Sequence, residues 1–158
     1  MKQLSVIVAR FQVPSLHEGH LKLINESAKN SHTLVIFLGH KVHQPGIKNP
    51  YSLTIRKEML QQALAQVNLA CTVIIDAIED HPISNELWSV ELDSKIDAYK
   101  KKLEDETKDT INVLLFGSRD SFVKSYYGKH QSSIIEEEVK ISGTEVRNRV
   151  LALTERDL

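Results

Sequence analysis

Short apolar runs rich in β-branched residues alternate with stretches whose apolar residues recur at helical spacing, and this alternation constrains the fold most. The runs predict five strands, at residues 4–9, 33–38, 71–78, 111–116 and 133–139. The other stretches predict helices at residues 19–30, 49–67, 84–103, 119–127 and 142–150. Strands that are apolar on both faces are typical of a parallel sheet covered by helices on both sides. Right-handed crossovers then make the expected fold a doubly wound, Rossmann-like α/β sheet of about five strands.

Two of the predicted helices have alternative capping residues at their starts. In the second helix, Pro50 disfavours the α conformation at Asn49, a good N-cap, and Ser52 is the competing cap. The third helix begins at Ser84 or Asn85. The residues expected to face the core are Ile55, Met59, Leu60, Ala63 and Leu64 in the second helix, and Trp88, Leu92, Ile96, Tyr99 and Leu103 in the third.

Length and composition exclude several classes of protein. With 158 residues, the chain is expected to form a single domain, residues 1–158. Its 20 Lys and Arg residues against 21 Asp and Glu give a net charge of -1, which provides no electrostatic case for nonspecific binding to nucleic acid or an anionic membrane. The single cysteine, Cys71, excludes an intrachain disulfide and fits a reducing cytoplasm. Because the sequence shows no signal peptide and no apolar stretch near the ~20 residues of a membrane helix, we expect a cytoplasmic protein.

Ligands of doubly wound sheets bind beyond the carboxyl ends of the strands, so the segments after each strand hold the candidate functional residues. The segment after the first strand carries Arg10 and an H-x-G-H motif made by His17, Gly19 and His20. It leads into a predicted helix N-terminus, where free N–H groups and the helix dipole favour an anion. Neither a Walker loop nor a dinucleotide fingerprint is present. We therefore interpret the motif as a phosphate site, the alternative being a loop with two solvent-exposed histidines.

The histidines also admit a zinc site, which the sequence disfavours. His17 and His20 have i, i+3 spacing, as have His40 and His43, but no H-E-x-x-H motif occurs and no cysteine completes a set of ligands. We therefore predict no metal ion bound directly by protein side chains.

A predicted helix start near the C-terminus carries polar residues suited to a polyphosphate. Ser142 and Glu145 form a capping box, which by itself is sufficient to explain Ser142. Thr144 adds a hydroxyl at the same helix start, and Arg147 lies one turn inside it. A helix N-terminus together with a guanidinium is a favourable arrangement for binding phosphate groups.

The H-x-G-H motif at 17–20 and the I-S-x-T-x-x-R motif at 141–147 together resemble the nucleotidyltransferase superfamily. Within it, the chain is most similar to archaeal-type nicotinamide-mononucleotide adenylyltransferases and to the adenylyltransferase half of bifunctional enzymes with a fused Nudix hydrolase. The resemblance covers nearly the whole chain, so we expect no appended Nudix half within these residues. Further stretches that carry it are Arg10-Phe11-Gln12, Asn49-Pro50-Tyr51-Ser52 with Arg56, Asn85 with Trp88, and Gly117-Ser118-Arg119-Asp120 with Tyr126 and Tyr127.

The resemblance implies adenylyl transfer from ATP to nicotinamide mononucleotide, with release of pyrophosphate and with Mg2+ carried by the ATP phosphates. The acceptor phosphate is largely dianionic at neutral pH, so the enzyme supplies alignment and charge stabilisation rather than a strong base. The implied catalytic residues are His17, His20, Arg10 and Arg147. The implied ATP-binding residues are Phe11, Gln12, Gly19, Gly117, Ser118, Asp120, Ser142 and Thr144, and the implied acceptor-binding residues are Asn85, Trp88 and Arg56. Asp80 is added to the acceptor-binding residues because it follows the third predicted strand.

Two of the implied acceptor residues have purely structural alternatives. Trp88 lies on the apolar stripe of its predicted helix, so core packing competes with stacking of the cationic nicotinamide ring on the indole. Arg56 can equally be a solvated helix arginine.

The activity itself has two alternatives. The chain departs from the family pattern, since Ala9 stands where Gly is common and two extra residues lie between Gln12 and His17. One alternative is therefore the same fold and reaction with another acceptor, such as pantetheine phosphate, a flavin or an alcohol phosphate. The other is a noncatalytic nucleotide-sensing domain, which the presence of both histidines and Arg147 disfavours. A homo-oligomer is compatible with the sequence.

Overall fold

In the part of the chain that the structure describes, five parallel strands form one sheet in the order β3-β2-β1-β4-β5. The computed structural model describes residues 2–11, 18–41, 52–118 and 121–135. The strands are β1 (Lys2–Ala9), β2 (Thr33–His40), β3 (Thr72–Glu79), β4 (Ile111–Gly117) and β5 (Gln131–Ile134). The helices are α1 (Glu18–Ala28), α2 (Leu53–Ala65) and α3 (Asn85–Thr107), and a short 3-10 helix spans Phe122–Ser125. The expected doubly wound, Rossmann-like fold is confirmed.

The central strand β1 determines where a ligand can bind. It pairs with β2 on one side and β4 on the other, so that Val6 lies opposite both Val35 and Leu115. The chain turns from β1 to β2 through α1, whereas β4 continues the sheet in the other direction. The strand order therefore reverses between β1 and β4, and the carboxyl ends of these strands border the crevice where such sheets bind ligands.

Alternating side chains of β1 divide the core into two layers. Leu4, Val6 and Val8 pack on the face covered by α3, together with Leu92 and Ile96 of that helix. On the opposite face the buried set includes residues of β1, β2, α1 and α2, namely Ile7, Ile24, Leu34, Ile36, Leu38 and Leu60. The two-residue period of a strand thus supplies apolar groups to both helical layers.

The third helix forms as its apolar pattern predicts. The side chain of Ser84 accepts a hydrogen bond from Leu87 N at 3.1 Å, which caps the helix, and Lys108 ends it in the left-handed conformation. All five residues of the predicted apolar stripe pack in the core layer beneath α3.

The second helix uses one of its two predicted caps and corrects one expectation. Its N-cap is Ser52, whose Oγ accepts from Ile55 N at 3.3 Å, whereas Asn49 and Pro50 lie outside the described residues. Ile55 was expected to face the core, but it is 47% exposed and the neighbouring Arg56 is buried. The inner face of the helix includes Leu53, Arg56 and Leu60. Arg56 can be buried there because its guanidinium donates hydrogen bonds to two carbonyl oxygens beneath the helix.

The segment after β4 also differs from its prediction. In place of a helix over 119–127, the described residues contain one 3-10 turn, and Tyr126 follows it in an extended conformation. The Tyr126 hydroxyl donates to Asp93 of α3 at 2.5 Å, and this tertiary contact holds the chain out of a regular helix. β5 begins two residues earlier than predicted, and residues 136–139 of that prediction lie outside the described range. No helix in the described part of the chain is long and apolar enough to cross a membrane.

Candidate functional site

A cavity of about 640 Å3 lies where the carboxyl ends of β1 to β4 meet the starts of α1 and α3 and the 3-10 helix. Among the described residues, seven that the sequence predicts for the site line this cavity, and these are Arg10, Phe11, His20, Asp80, Asn85, Trp88 and Ser118. Lys41 also lines the cavity and directly follows the strand end at His40, but no sequence motif distinguishes it as a site residue. Ser121, Phe122 and Ser125 line the cavity as well, and the sequence does not predict this because a 3-10 helix brings them to the wall where a regular helix is expected.

Arg10 and Asp80, two residues that line the cavity, form an ion pair. Arg10 follows β1 and Asp80 follows β3, and Nη2 of the arginine lies 2.5 Å from Oδ2 of the aspartate. The backbone N–H of Asp80 donates to His40 O at 2.8 Å, which anchors the carboxylate to the end of β2. Nη1 of Arg10 is buried and has no hydrogen-bond partner among the described residues. The guanidinium therefore retains donor capacity beside the cavity.

Arg56 reaches the same region from α2 without lining the cavity. The residue is only 3% exposed, and its Nη1 donates to Arg10 O at 2.9 Å and to Gly39 O at 2.7 Å. Burial and the nearby charge of Arg10 lower the pKa of Arg56, while the carboxylate of Asp80 acts in the opposite direction. The alternative of a solvated arginine is therefore excluded, and contact with the acceptor remains a prediction.

Phe11 and His20 form an aromatic contact at the start of α1. Phe11 is buried with a φ of 48°, a left-handed conformation that is strained for a bulky residue. Its ring meets the imidazole of His20 edge-on, with the centroids 4.9 Å apart. His20 stands in the first turn of α1, as the sequence predicted, and lines the cavity. Gly19 lies in the same turn and is not among the lining residues.

The start of α3 supplies the aromatic wall of the cavity. Asn85 is the first residue of this helix, and Trp88 follows one turn later. The indole of Trp88 packs against the core, with its ring centroid 6.2 Å from that of Phe122. It also lines the cavity. Core packing and a cavity role are therefore compatible for this residue. His81 lines the same region, and its Nε2 is hydrogen-bonded to the carboxylate of Glu91.

Gly117 and Ser118 take different positions at the end of β4. A Cβ atom on Gly117 would lie 2.2 Å from Ser121 Oγ and 2.7 Å from Val123 Cγ2, so the glycine allows the 3-10 helix to pack on the strand. The buried Gly117 is not a lining residue, whereas Ser118 is one. Packing thus explains why a glycine stands at position 117. Contact with ATP remains a prediction for both Gly117 and Ser118.

Six of the predicted site residues lie outside the described range, and these are Gln12, His17, Asp120, Ser142, Thr144 and Arg147. His43, of the second histidine pair, also lies outside it. Within the described ranges, no group of three or more His, Cys, Asp or Glu side chains could hold a metal ion.

Residues 7–149 match the cytidylyltransferase-like family, and the chain belongs to that family. Two similar solved structures are bifunctional NMN adenylyltransferase/ADP ribose pyrophosphatases from Francisella tularensis, one of them complexed with AMP and a manganese ion. Both are 27% identical, with TM-scores of 0.66 and 0.65, and both alignments cover 94% of this chain. The chain spans only 41% and 42% of the length of those two proteins. No curated protein matches the sequence. The family resemblance expected from the sequence is thus confirmed.

Proposed function

We propose that the protein is an adenylyltransferase that transfers AMP from ATP to nicotinamide mononucleotide, forming NAD and pyrophosphate. The observation that carries the proposal is a single cavity lined both by Arg10, His20 and Lys41 and by Asn85 and Trp88. The first group suits phosphates and the second suits an aromatic base with an amide substituent. The names of the similar Francisella proteins support the same reaction.

In the proposed reaction an oxygen of the acceptor phosphate forms a bond to the α-phosphorus of ATP. The bond from that phosphorus to the α–β bridging oxygen breaks, and pyrophosphate leaves with the electron pair. The phosphate monoester is largely dianionic at neutral pH, so no protein base has to remove a proton. Arg10 and His20 stabilise the charge that develops at the α-phosphoryl group. We assign His17 the same role and give the pyrophosphate to Ser142, Thr144 and Arg147.

The described cavity residues are suited to ATP that brings its own Mg2+. Asp80 is the carboxylate that lines the described part of the cavity, and it is paired with Arg10. Because Mg2+ prefers oxygen ligands and the lining is mainly cationic or neutral, the ATP phosphates would bind the ion. Bound there, Mg2+ would reduce the negative charge of the triphosphate. Phe11, Gln12, Gly19, Gly117, Ser118 and Asp120 remain the proposed ATP-binding residues.

We place the acceptor base against Trp88, with Asn85 binding its carboxamide. A pyridinium ring over an indole gains cation–π attraction in addition to its buried apolar area. Asp80 also lines this cavity, and we assign its carboxylate to the acceptor site in addition to its pairing with Arg10. This placement distinguishes the proposed acceptor from a phosphate that lacks an aromatic cation.

The test of catalysis is the turnover of a histidine variant. His20→Ala is expected to lower kcat at least about a hundredfold, because it removes one preorganised donor from the reacting phosphoryl group. His17→Ala is expected to act in the same way. The matched control is His32→Ala. His32 is an exposed residue that directly precedes β2, its Nδ1 is hydrogen-bonded to the hydroxyl of Thr33, and it does not line the cavity. Near-normal turnover in the His20 and His17 variants would contradict the proposed catalytic site.

A further inference from the structure

We propose that Arg56 is a positioning residue that orients Arg10 from behind and does not itself contact the nucleotides. The proposal rests on the proposed function, in which Arg10 stabilises charge at the transferred phosphoryl group. It replaces direct acceptor binding as the role of Arg56.

The hydrogen bonds of Arg56 lie where the pairing between β1 and β2 ends. The last register pair of these strands is Ala9 with Leu38, so Arg10 and Gly39 are the next residues along each strand. Nη1 of Arg56 donates to the carbonyl oxygens of both residues, at 2.9 and 2.7 Å. Gly39 remains paired with β3, which ties this bridge to the rest of the sheet. A side chain from α2 thus joins the strand ends at the point where the ladder no longer does.

The carbonyl of Arg10 is a sensitive point of attachment. It belongs to the peptide that connects Arg10 to Phe11, and Phe11 has the strained φ of 48°. Fixing this peptide plane limits the rotation available to Phe11 and hence the placement of its ring against His20. The same bond fixes the backbone from which the Arg10 side chain extends to Asp80. Arg56 therefore acts on two cavity residues through one carbonyl.

The bonding of Arg56 is unlike that of a residue retained only for stability. Its Nε is buried without a hydrogen-bond partner in the described part of the chain. Its guanidinium also lies close enough to that of Arg10 for the two charges to oppose each other, with Asp80 as the balancing carboxylate. Unpartnered buried donors and neighbouring like charges both destabilise a fold. Such an arrangement is typical of a functional site, where placement matters more than stability.

A double-mutant cycle on the full chain separates positioning from direct contact. Arg56→Met is expected to lower kcat about tenfold or more, with KM for ATP changed less than about threefold. In an Arg10→Ala background the same substitution should lower kcat much less than in the wild type, by about threefold or less, because the guanidinium it positions is gone and only the effect through the backbone of Phe11 remains. Arg56→Lys keeps a cation and a donor in reach of the carbonyls, and it is expected to recover part of kcat. Effects that multiply in the double variant would show that Arg56 contacts a substrate, and they would overturn the proposal.

The matched control is Leu60→Ala, one turn further along α2 and 2% exposed. It should lower the unfolding temperature while leaving kcat unchanged below that temperature. If Arg56→Met and Arg56→Lys behave like this control, Arg56 is merely structural and the proposal is wrong. If Arg56→Met does not fold, the cycle uses Arg56→Lys, with the same coupling expected at smaller amplitude.

A binding readout keeps this test independent of turnover. Isothermal titration calorimetry of ATP with Mg2+, in the absence of any acceptor, measures binding without turnover. The loss of ATP affinity caused by Arg56→Met is expected to stay below about threefold and to largely disappear in the Arg10→Ala background. A wild-type protein that binds ATP but makes no NAD would contradict the proposed function alone, and the binding cycle would still decide the role of Arg56. Absence of ATP binding would overturn both.

Discussion

Arg10 is the residue on which the contacts of the site converge. Its carbonyl accepts from Arg56, its side chain pairs with Asp80, and the next residue packs on His20. A guanidinium that is held by its backbone and by one carboxylate has few rotamers left to lose when a triphosphate binds. Such preorganisation is the main contribution a protein can make to phosphoryl-type transfer.

Asp80→Asn tests whether the ion pair between Arg10 and Asp80 contributes to catalysis. The substitution keeps the shape but removes the charge that orients Arg10 and balances it against Arg56. We expect kcat/KM to fall about tenfold or more and unfolding free energy to fall by only ~1 kcal/mol, because the Arg10 side chain is 41% exposed. Steady-state kinetics and urea unfolding measure the two effects. Glu79→Gln is the matched control on the preceding, exposed residue, and an equal loss in both variants would contradict the account.

Trp88→Ala tests the acceptor placement. Loss of the indole is expected to raise KM for the mononucleotide about tenfold and KM for ATP much less, because stacking affects the acceptor base alone. Trp88→Phe keeps an aromatic face and should recover most of the affinity. Equal increases of both KM values in Trp88→Ala would indicate general loss of packing against Phe122 instead.

At the scale of elements, the 3-10 helix depends on a close approach to β4. Gly117→Ala should destabilise the fold by ~1–3 kcal/mol, since its Cβ would overlap Ser121 Oγ at 2.2 Å and Val123 Cγ2 at 2.7 Å. Chemical unfolding of the variant measures this loss. Gly39→Ala is the matched control, because there the nearest atom, Asp80 Oδ1, is at an ordinary 3.7 Å. A Gly117 variant as stable as the control would contradict the described packing.

Carboxylates of α3 hold the segment that follows the 3-10 helix. Asp93 accepts from the Tyr126 hydroxyl and from Lys129 N, and Asp97 accepts from Lys129 Nζ at 2.5 Å and from His130 Nε2 at 3.0 Å. Partial burial raises the pKa of Asp97, but the bonds and charges of Lys129 and His130 outweigh it, so the net pKa is lowered. α3 thereby fixes the wall of the cavity that the 3-10 helix supplies.

Asp97→Asn should show this contact as a pH dependence of stability. A carboxyl with a lowered pKa in the folded state contributes stability above its unfolded pKa of ~4, and that contribution is lost as pH falls through the folded pKa. As the pH falls from about 5 to about 2, a range that includes the unfolded pKa of ~4, the wild type is therefore expected to lose more unfolding free energy than the variant. Urea unfolding across this range measures the difference, with Asp105→Asn, exposed on the same helix, as control. Parallel pH profiles of wild type and Asp97→Asn would contradict the assignment.

The elements that follow from local pattern were predictable from the sequence, and those set by tertiary bonds were not. α3 has a clear cap and an apolar stripe, so its start and inner face agree with the prediction. α2 shows the opposite case, because Arg56 is buried by bonds to residues 46 and 17 positions away. No local signal distinguishes such an arginine from a solvated one. The extended backbone at Tyr126 likewise depends on Asp93, which is 33 residues away in the chain.

At the scale of the whole molecule, strand order converts separate sequence segments into one site. Arg10 and Asp80 are 70 residues apart in sequence and meet because β1 and β3 end at the same edge of the sheet. The sequence predicted which residues follow each strand, and parallel pairing predicted their common edge. It could not predict the Arg10–Asp80 pair or the edge-on contact of Phe11 with His20, since both depend on side-chain geometry beyond the strand ends.

Product analysis tests the central claim most directly. Purified protein is incubated with ATP, Mg2+ and one acceptor at a time, and the products are separated by chromatography. The acceptors are nicotinamide mononucleotide, nicotinate mononucleotide, pantetheine phosphate, flavin mononucleotide and an alcohol phosphate, with CTP replacing ATP as a further arm. The account predicts NAD and pyrophosphate in equal amounts from ATP and nicotinamide mononucleotide. No NAD from that pair, or faster formation of a product from one of the non-pyridine acceptors, would contradict it.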